Sequence, residues 1–307
     1  MCNKVALMRS VSIALALVLA PCIGWGQQVS SYAEIEANRQ ALIEWQAEEE
    51  RDVDFYIDSA PIEGGIGTTV ALIVDDLDLE DAGSALDGPA AWCQFLFLHL
   101  NVKTCVHGEN DEGRWIRMYM GKKSYQTPKK AEEIELQFNS GVTGDGVNWV
   151  NLTADEGPYG TSDYFVGLSA IPAENGTYAQ LRSSQKASGA ATGAMNFYYK
   201  TLARDKIGFS VVGTDKKGNT KYSTGAQAML ERNVVRYLLA IDVYMQSPAD
   251  AGTDAFLERA AKWFDETERY PEQLHEVDRD DYLKNKKKEY KNMLEMQAEI
   301  DAAATAD

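Results

Sequence analysis

The chain has 307 residues and a formal net charge of −17, from 47 acidic and 30 basic side chains. That length suits one core domain with extensions. The acidic balance argues against nucleic acid and against anionic membrane surfaces as partners.

The N-terminus reads as an export signal. Lys4 and Arg9 precede an apolar run, Val11 to Ala20, that is too short for a membrane span, and Gly24 and Gly26 place cleavage after residue 26. An alternative is acylation at Cys22, because Leu19-Ala20-Pro21-Cys22 is a poor lipobox with Pro21 where a small residue is usual. No later run is long and apolar enough to span a bilayer. The mature chain is therefore expected in the periplasm or outside the cell. Cleavage removes two cations and no anion, leaving −19. Cys93 and Cys105 then remain, without CxxC spacing, and an even pair in an oxidising compartment favours a disulfide over two buried thiols.

Ser31 with Glu34 forms a capping box and opens a helix expected to reach Asp52. Gly64, Gly65 and Gly67 break the chain before a β-branched strand, Thr68 to Val74. Two short helices follow, Asp78 to Leu86 and Ala90 to Leu98, separated by Gly88-Pro89. Period-two alternation then predicts strands at 101–107, 114–120, 133–138, 147–153, 162–170, 178–186 and 206–213. Residues 190–201 read as a helical insertion, and Lys216 to Asn219 as a hairpin tip. Asp155 to Thr161 is a turn-rich loop, either a hairpin connection or a gate.

Thr224 with Gln227 reads as a second capping box, opening the helix Gly225 to Met245. Leu230, Val234, Tyr237, Leu238, Ile241 and Met245 form its main stripe, and Val235, Leu239 and Val243 fall on other sides. A helix apolar on nearly every side is buried between two layers. An amphipathic helix, Asp254 to Tyr270, stops at Pro271. A charged helix, Asp280 to Ile300, carries a basic run at Lys284 to Lys288.

One strand, two short helices, a series of antiparallel strands and a long helix resemble the START-like, or SRPBCC, superfamily. The turn Pro89-Ala90-Ala91-Trp92-Cys93 and the helix Gly225 to Met245 carry most of that resemblance, which covers roughly Thr68 to Met245. It implies an α+β helix-grip fold, a curved antiparallel sheet around a long C-terminal helix, here with extra N- and C-terminal helices. The expected division is a signal at 1–26, a helical extension at 27–60, the helix-grip domain at 61–247 and a helical extension at 248–307. The resemblance also implies a hydrophobic cavity between sheet and long helix. Relatives mostly bind lipids, sterols, polyketides or plant hormones, and some cyclise or hydrolyse them.

The ligand is therefore expected to be a hydrophobic small molecule, with no cofactor and no metal, since no ligand spacing is present. Glu231, Arg232 and Arg236 sit inside the apolar helix and need partners. Arg232 and Arg236 lie on one face, where Asp265, Glu266 or Glu268 could neutralise them, or where one of them could bind an anionic headgroup. Glu231 is a candidate pocket acid. His99 is either a hydrogen-bonded core histidine or a general base. Tyr237, Trp149 and Tyr164 are candidate cavity aromatics. The rival readings are a cyclase- or hydrolase-type enzyme using Glu231 or His99, and an interaction protein whose C-terminal helices dock a partner.

Overall fold

In the computed structural model, residues 29–47, 53–189, 205–247 and 252–305 are described. The export signal, Cys22 and the 190–201 insertion lie outside them.

An eight-stranded sheet organises the molecule. Its strands are β1 (Tyr56–Ile62), β2 (Gly65–Asp75), β3 (Val102–Asn110), β4 (Gly113–Met120), β5 (Glu132–Val142), β6 (Asn148–Gly157), β7 (Thr161–Ala173) and β8 (Gly176–Ala187). The order is β1-β2-β8-β7-β6-β5-β4-β3, with every neighbouring pair antiparallel. β3 to β8 form a meander, and the pairing of β8 with β2 returns the chain to its beginning. Two short helices, α2 (Leu79–Leu86) and α3 (Pro89–Leu96), carry the chain from β2 to the far edge at β3.

Alternation along the strands separates two cores. On β2, Val70 and Leu72 belong to the main apolar cluster while Ala71 between them belongs to a second. On β8, Ala179 and Tyr178 divide in the same way. The second cluster is closed by helix α1 (Tyr32–Gln46) through Ile35 and Leu42. The Ser31–Glu34 capping box is formed at its start. Asn38 Nδ2 adds a bond to Gln180 Oε1 at 2.6 Å across that face. The helix ends at Gln46, short of the expected Asp52, and residues 48–52 lie outside the described part.

The other face holds the long helix α4 (Gly225–Met245). Val234, Leu238 and Ile241 pack there with Leu98, Leu152 and Leu181 in the main cluster. Helices α5 (Thr253–Thr267), α6 (Pro271–Leu274) and α7 (Arg279–Ala304) add a further layer. The α5 indole of Trp263 donates to the Arg236 carbonyl at 2.9 Å, so α4 is covered on its outer side as well. The apolar surround of α4 thus has its cause. The architecture is α+β, a helix-grip sheet around a long helix with additional helices at both ends.

Two expectations change. β1 begins at Tyr56, so a strand occupies the end of the expected helical extension. Pro61 hid it, yet an edge strand tolerates a missing N–H, and Pro61 pairs with Ile66 in register. The Thr224 side chain does not cap α4. Gln227 instead donates to Glu231 Oε1 at 2.8 Å, and Thr224 pairs with Ile207 in the hairpin of β9 (Ile207–Thr214) and β10 (Thr220–Thr224). The 155–161 segment is the hairpin connection of the two readings: Asp155 to Gly157 end β6, Thr161 begins β7, and only 158–160 turn between them.

Candidate functional site

The charges of α4 serve its outer neighbours. Glu231 is fully buried. Its Oε2 accepts from Phe209 N at 2.7 Å, Ser210 N at 3.1 Å and Ser223 Oγ at 2.6 Å. Burial pushes the carboxyl up, but the bonds from Ser223, Ser210 and Phe209 outweigh it and leave Glu231 below the ordinary glutamate value. An anion with its lone pairs engaged in this way clips the β9–β10 hairpin to α4. Gly208 makes the approach possible, since a Cβ there would run into Ser223 Oγ and the Glu231 carboxylate.

Arg232 Nη1 donates to the Ile207 carbonyl at 3.0 Å. Arg236 Nη2 donates to the Leu274 carbonyl at 3.0 Å and lies 3.5 Å from Glu276 Oε1. Burial lowers Arg236 to about 10 against the pull of Glu276, so it stays charged at neutral pH. Its expected partners are engaged elsewhere: Asp265 with Arg279, Glu266 with Arg269, Glu268 with His275. Glu276 could not be found from spacing along the helix, because α6 has to turn the chain back before it arrives.

His99 is buried. Its Nδ1 accepts from Asn101 N at 3.1 Å, which places any ring proton of the neutral form on Nε2. Burial, then Arg236 and Lys286, hold it well below the usual histidine range. Tyr237 stacks on it with ring centroids 4.9 Å apart, and burial raises the Tyr237 hydroxyl. Tyr164 is bonded to Thr161 at 2.5 Å.

A second buried charge cluster was missed in the sequence. Lys286 and Glu289 on α7 and Lys103 on β3 are each at most 1% exposed. Lys286 Nζ donates to the carbonyls of Phe97 at 2.6 Å, Val102 at 2.6 Å and His99 at 3.0 Å. Glu289 bridges Lys103 at 3.0 Å and Lys286 at 3.4 Å. Lys286 is hidden inside the run Lys284 to Lys288, which reads as a solvated face.

Cys93 on α3 and Cys105 on β3 form a disulfide with Cα atoms 5.2 Å apart. No group of side chains suited to a metal ion occurs among the described residues. None of their helices is long and apolar enough to cross a membrane.

Two cavities flank the core. The first, of about 290 Å³, lies between α2 and the sheet. Ala82 and Leu86 form one wall, Val150, Leu168 and Ala170 the other, and Trp149 lines it too. Ser84, Asp87 and Ser140 add polar groups. The second, of about 550 Å³, lies where the C-terminal end of α4 meets β2 and α5. It has Phe55, Leu72 and Leu239 beside Asp75, Asp76 and Asp242. Of the five expected ligand residues, Trp149 lines the first cavity, and Arg232, Arg236, Tyr237 and Tyr164 line neither.

No family model and no curated protein sequence matches the chain. Among solved structures it is similar to CalU16 from Micromonospora echinospora, at 8% identity over 69% of this chain and 95% of that one, with TM-score 0.31. The di-domain ARO/CYC BexL of the BE-7585A biosynthetic pathway matches at 12% identity over 72% of this chain and 59% of that one, with TM-score 0.35. Norcoclaurine synthase from Thalictrum flavum, solved with dopamine and hydroxybenzaldehyde, matches at 12% identity over 50% and 83%, with TM-score 0.30. At such scores the likeness adds nothing to the argument; the sheet order and the seat of α4 carry the fold.

Proposed function

We propose that the chain is an exported binding protein for a hydrophobic small molecule, held against the inner face of the sheet. The observation that carries this reading is the 290 Å³ cavity under α2, with six aliphatic side chains in its lining and polar groups beside them. Its volume is at the small end of ligand sites, roughly 300–1,000 Å³, so the ligand is compact. Leu86 and Leu168 offer apolar surface, and Ser84 can orient one polar end. Export is supported by the N-terminal signal pattern and by the disulfide, which suits an oxidising compartment.

A carrier is favoured over a cyclase or hydrolase by the state of the two candidate acid–base groups. Glu231 spends its carboxylate on the hairpin, and His99 is buried beneath Tyr237. A general base has to reach its substrate's proton, and neither residue lines either large cavity.

Native mass spectrometry of the chain purified from its own host tests the reading. A bound small molecule is expected, lost in Ala170→Phe, which fills the cavity from its floor. Retention of the molecule by that variant would reject this site, and an empty wild-type chain would reject the function.

A further inference from the structure

The chain as a whole is acidic, yet two segments distant in sequence, 122–130 and 284–291, carry half of its lysines. The fold brings them to one surface. Lys288 Nζ sits 5.4 Å from the centroid of the Tyr125 ring, and Asn292 Nδ2 donates to the Tyr125 hydroxyl at 3.4 Å. Tyr125 is 39% exposed. Gln126 folds the loop around it, accepting from Lys122 N at 3.0 Å and donating to the Lys130 carbonyl. Lys122, Lys129 and Lys130 are thereby gathered beside α7, all exposed. On α7, Lys284, Lys288 and Lys291 recur at helical spacing on one exposed face, with Lys287 next to them.

The strip extends past the loop. Lys123 and Lys206 both pair with Glu276 Oε2, Lys206 at 2.9 Å, and Arg236 holds the other oxygen. One buried carboxylate therefore offsets three cations. The acids flanking the strip include Asp280, Asp281, Glu132 and Glu295, the last paired weakly with Lys291 at 3.6 Å.

We infer that this lysine strip is a docking surface for an anionic phospholipid membrane. Three features select that partner. The cations at the surface are lysines, compact charges that suit a diffuse anionic plane, whereas bidentate phosphate recognition calls for arginine forks. The centre of the strip holds an exposed tyrosine, an amphipathic ring suited to the headgroup level. And the rest of the surface is acidic enough to orient the molecule, turning this one face toward the bilayer. The inference is independent of what the cavity under α2 holds.

Sedimentation of the full chain with two kinds of vesicle tests it, one of pure phosphatidylcholine and one with equal parts phosphatidylglycerol. The readout is the difference in partition between the two vesicles, which cancels any apolar insertion of the N-terminus. Stronger partition to the anionic vesicles at low salt is expected, weakening as salt rises. Each lysine near an anionic surface contributes about fivefold. Lys122→Gln, Lys130→Gln and Lys288→Gln together should therefore lower the anionic preference about a hundredfold. The same change at Lys216, Lys217 and Lys221, exposed at the hairpin tip, should alter it less than about threefold. Equal partition of the wild-type chain to both vesicles, or equal losses in the two triple variants, would overturn the inference. So would tighter binding to double-stranded DNA than to the anionic vesicles at matched phosphate concentration.

Discussion

Replacing Lys286 with Met probes the attachment of α7 to the domain. The ammonium donates to the carbonyls of Phe97, Val102 and His99 and neighbours Glu289 at 3.4 Å, all at a site 1% exposed. Met fills much of the lysine stem's volume, so packing is largely kept and the polar loss dominates. Removing one partner of a buried ion pair costs about 3–5 kcal/mol, and each buried acceptor left without a donor about 1–3 kcal/mol. Glu289 retains Lys103 at 3.0 Å, which moderates the total. A loss of about 4 kcal/mol should lower Tm by roughly 8–16 °C for a domain of this size. Differential scanning calorimetry on wild type, Lys286→Met, Glu289→Gln and the double variant would measure it, with a coupling of at least about 1 kcal/mol expected between the two sites. Burial lowers Lys286 to about 7, below its ordinary 10.5. The unfolded chain then binds the extra proton between those values, so wild-type stability rises from pH 7 toward 10.5. The Met variant should show a smaller rise, the share from Lys103, which burial also lowers, remaining. A Tm change under about 2 °C, or an unaltered pH slope, would refute the account of this cluster.

Glu231→Ala should cost about 3 kcal/mol by leaving the Phe209 and Ser210 amides and the Ser223 hydroxyl without their acceptor. Hydrogen exchange should show the hairpin amides opening first, and a variant of wild-type stability would count against the clip. Because the folded Glu231 value lies below the ordinary 4.5, its contribution is present above that pH and lost as pH falls through the folded value. Chemical denaturation against pH should show a shallower slope there in Glu231→Gln than in wild type, the remainder coming from other lowered carboxylates such as Glu276. His99 acts in the same sense at higher pH. It is neutral in the fold and protonates near 6.5 when unfolded, so stability declines as pH falls below 6.5, and His99→Gln should flatten the decline between pH 5 and 6.5. Reducing Cys93–Cys105 opens a short loop, with a sequence separation of 12. The chain-entropy model puts the loss at about 3 kcal/mol. Unfolding in urea with and without reductant would check it, an unchanged midpoint being the contrary result.

The sequence announced the elements through local physics. Side-chain alternation marked β3 to β8, because a sheet with unlike faces imposes period two on each strand. Ser31 and Glu34 marked the start of α1 by satisfying its free amides. The all-round apolarity of α4 required two covering layers, and the sheet and α5 to α7 supply them. β1 was not legible, since an edge strand can carry Pro61 and Asp58 in patterns that read as loop.

The residue partners were a different matter. Glu231, Arg232 and Arg236 had to be neutralised, as any buried charge must, and that much followed from their place in an apolar helix. Their partners come from β9, β10, the end of α6 and the turn after it, between 8 and 40 residues away, and only chain reversal brings these within hydrogen-bonding reach. The same holds for Lys286, whose neighbours in sequence are solvated while it alone turns inward to the carbonyls after α3. Net charge is a sum that sequence fixes completely. Where that charge sits is a vector property, and the tertiary structure decided it by laying the loop at Tyr125 against α7.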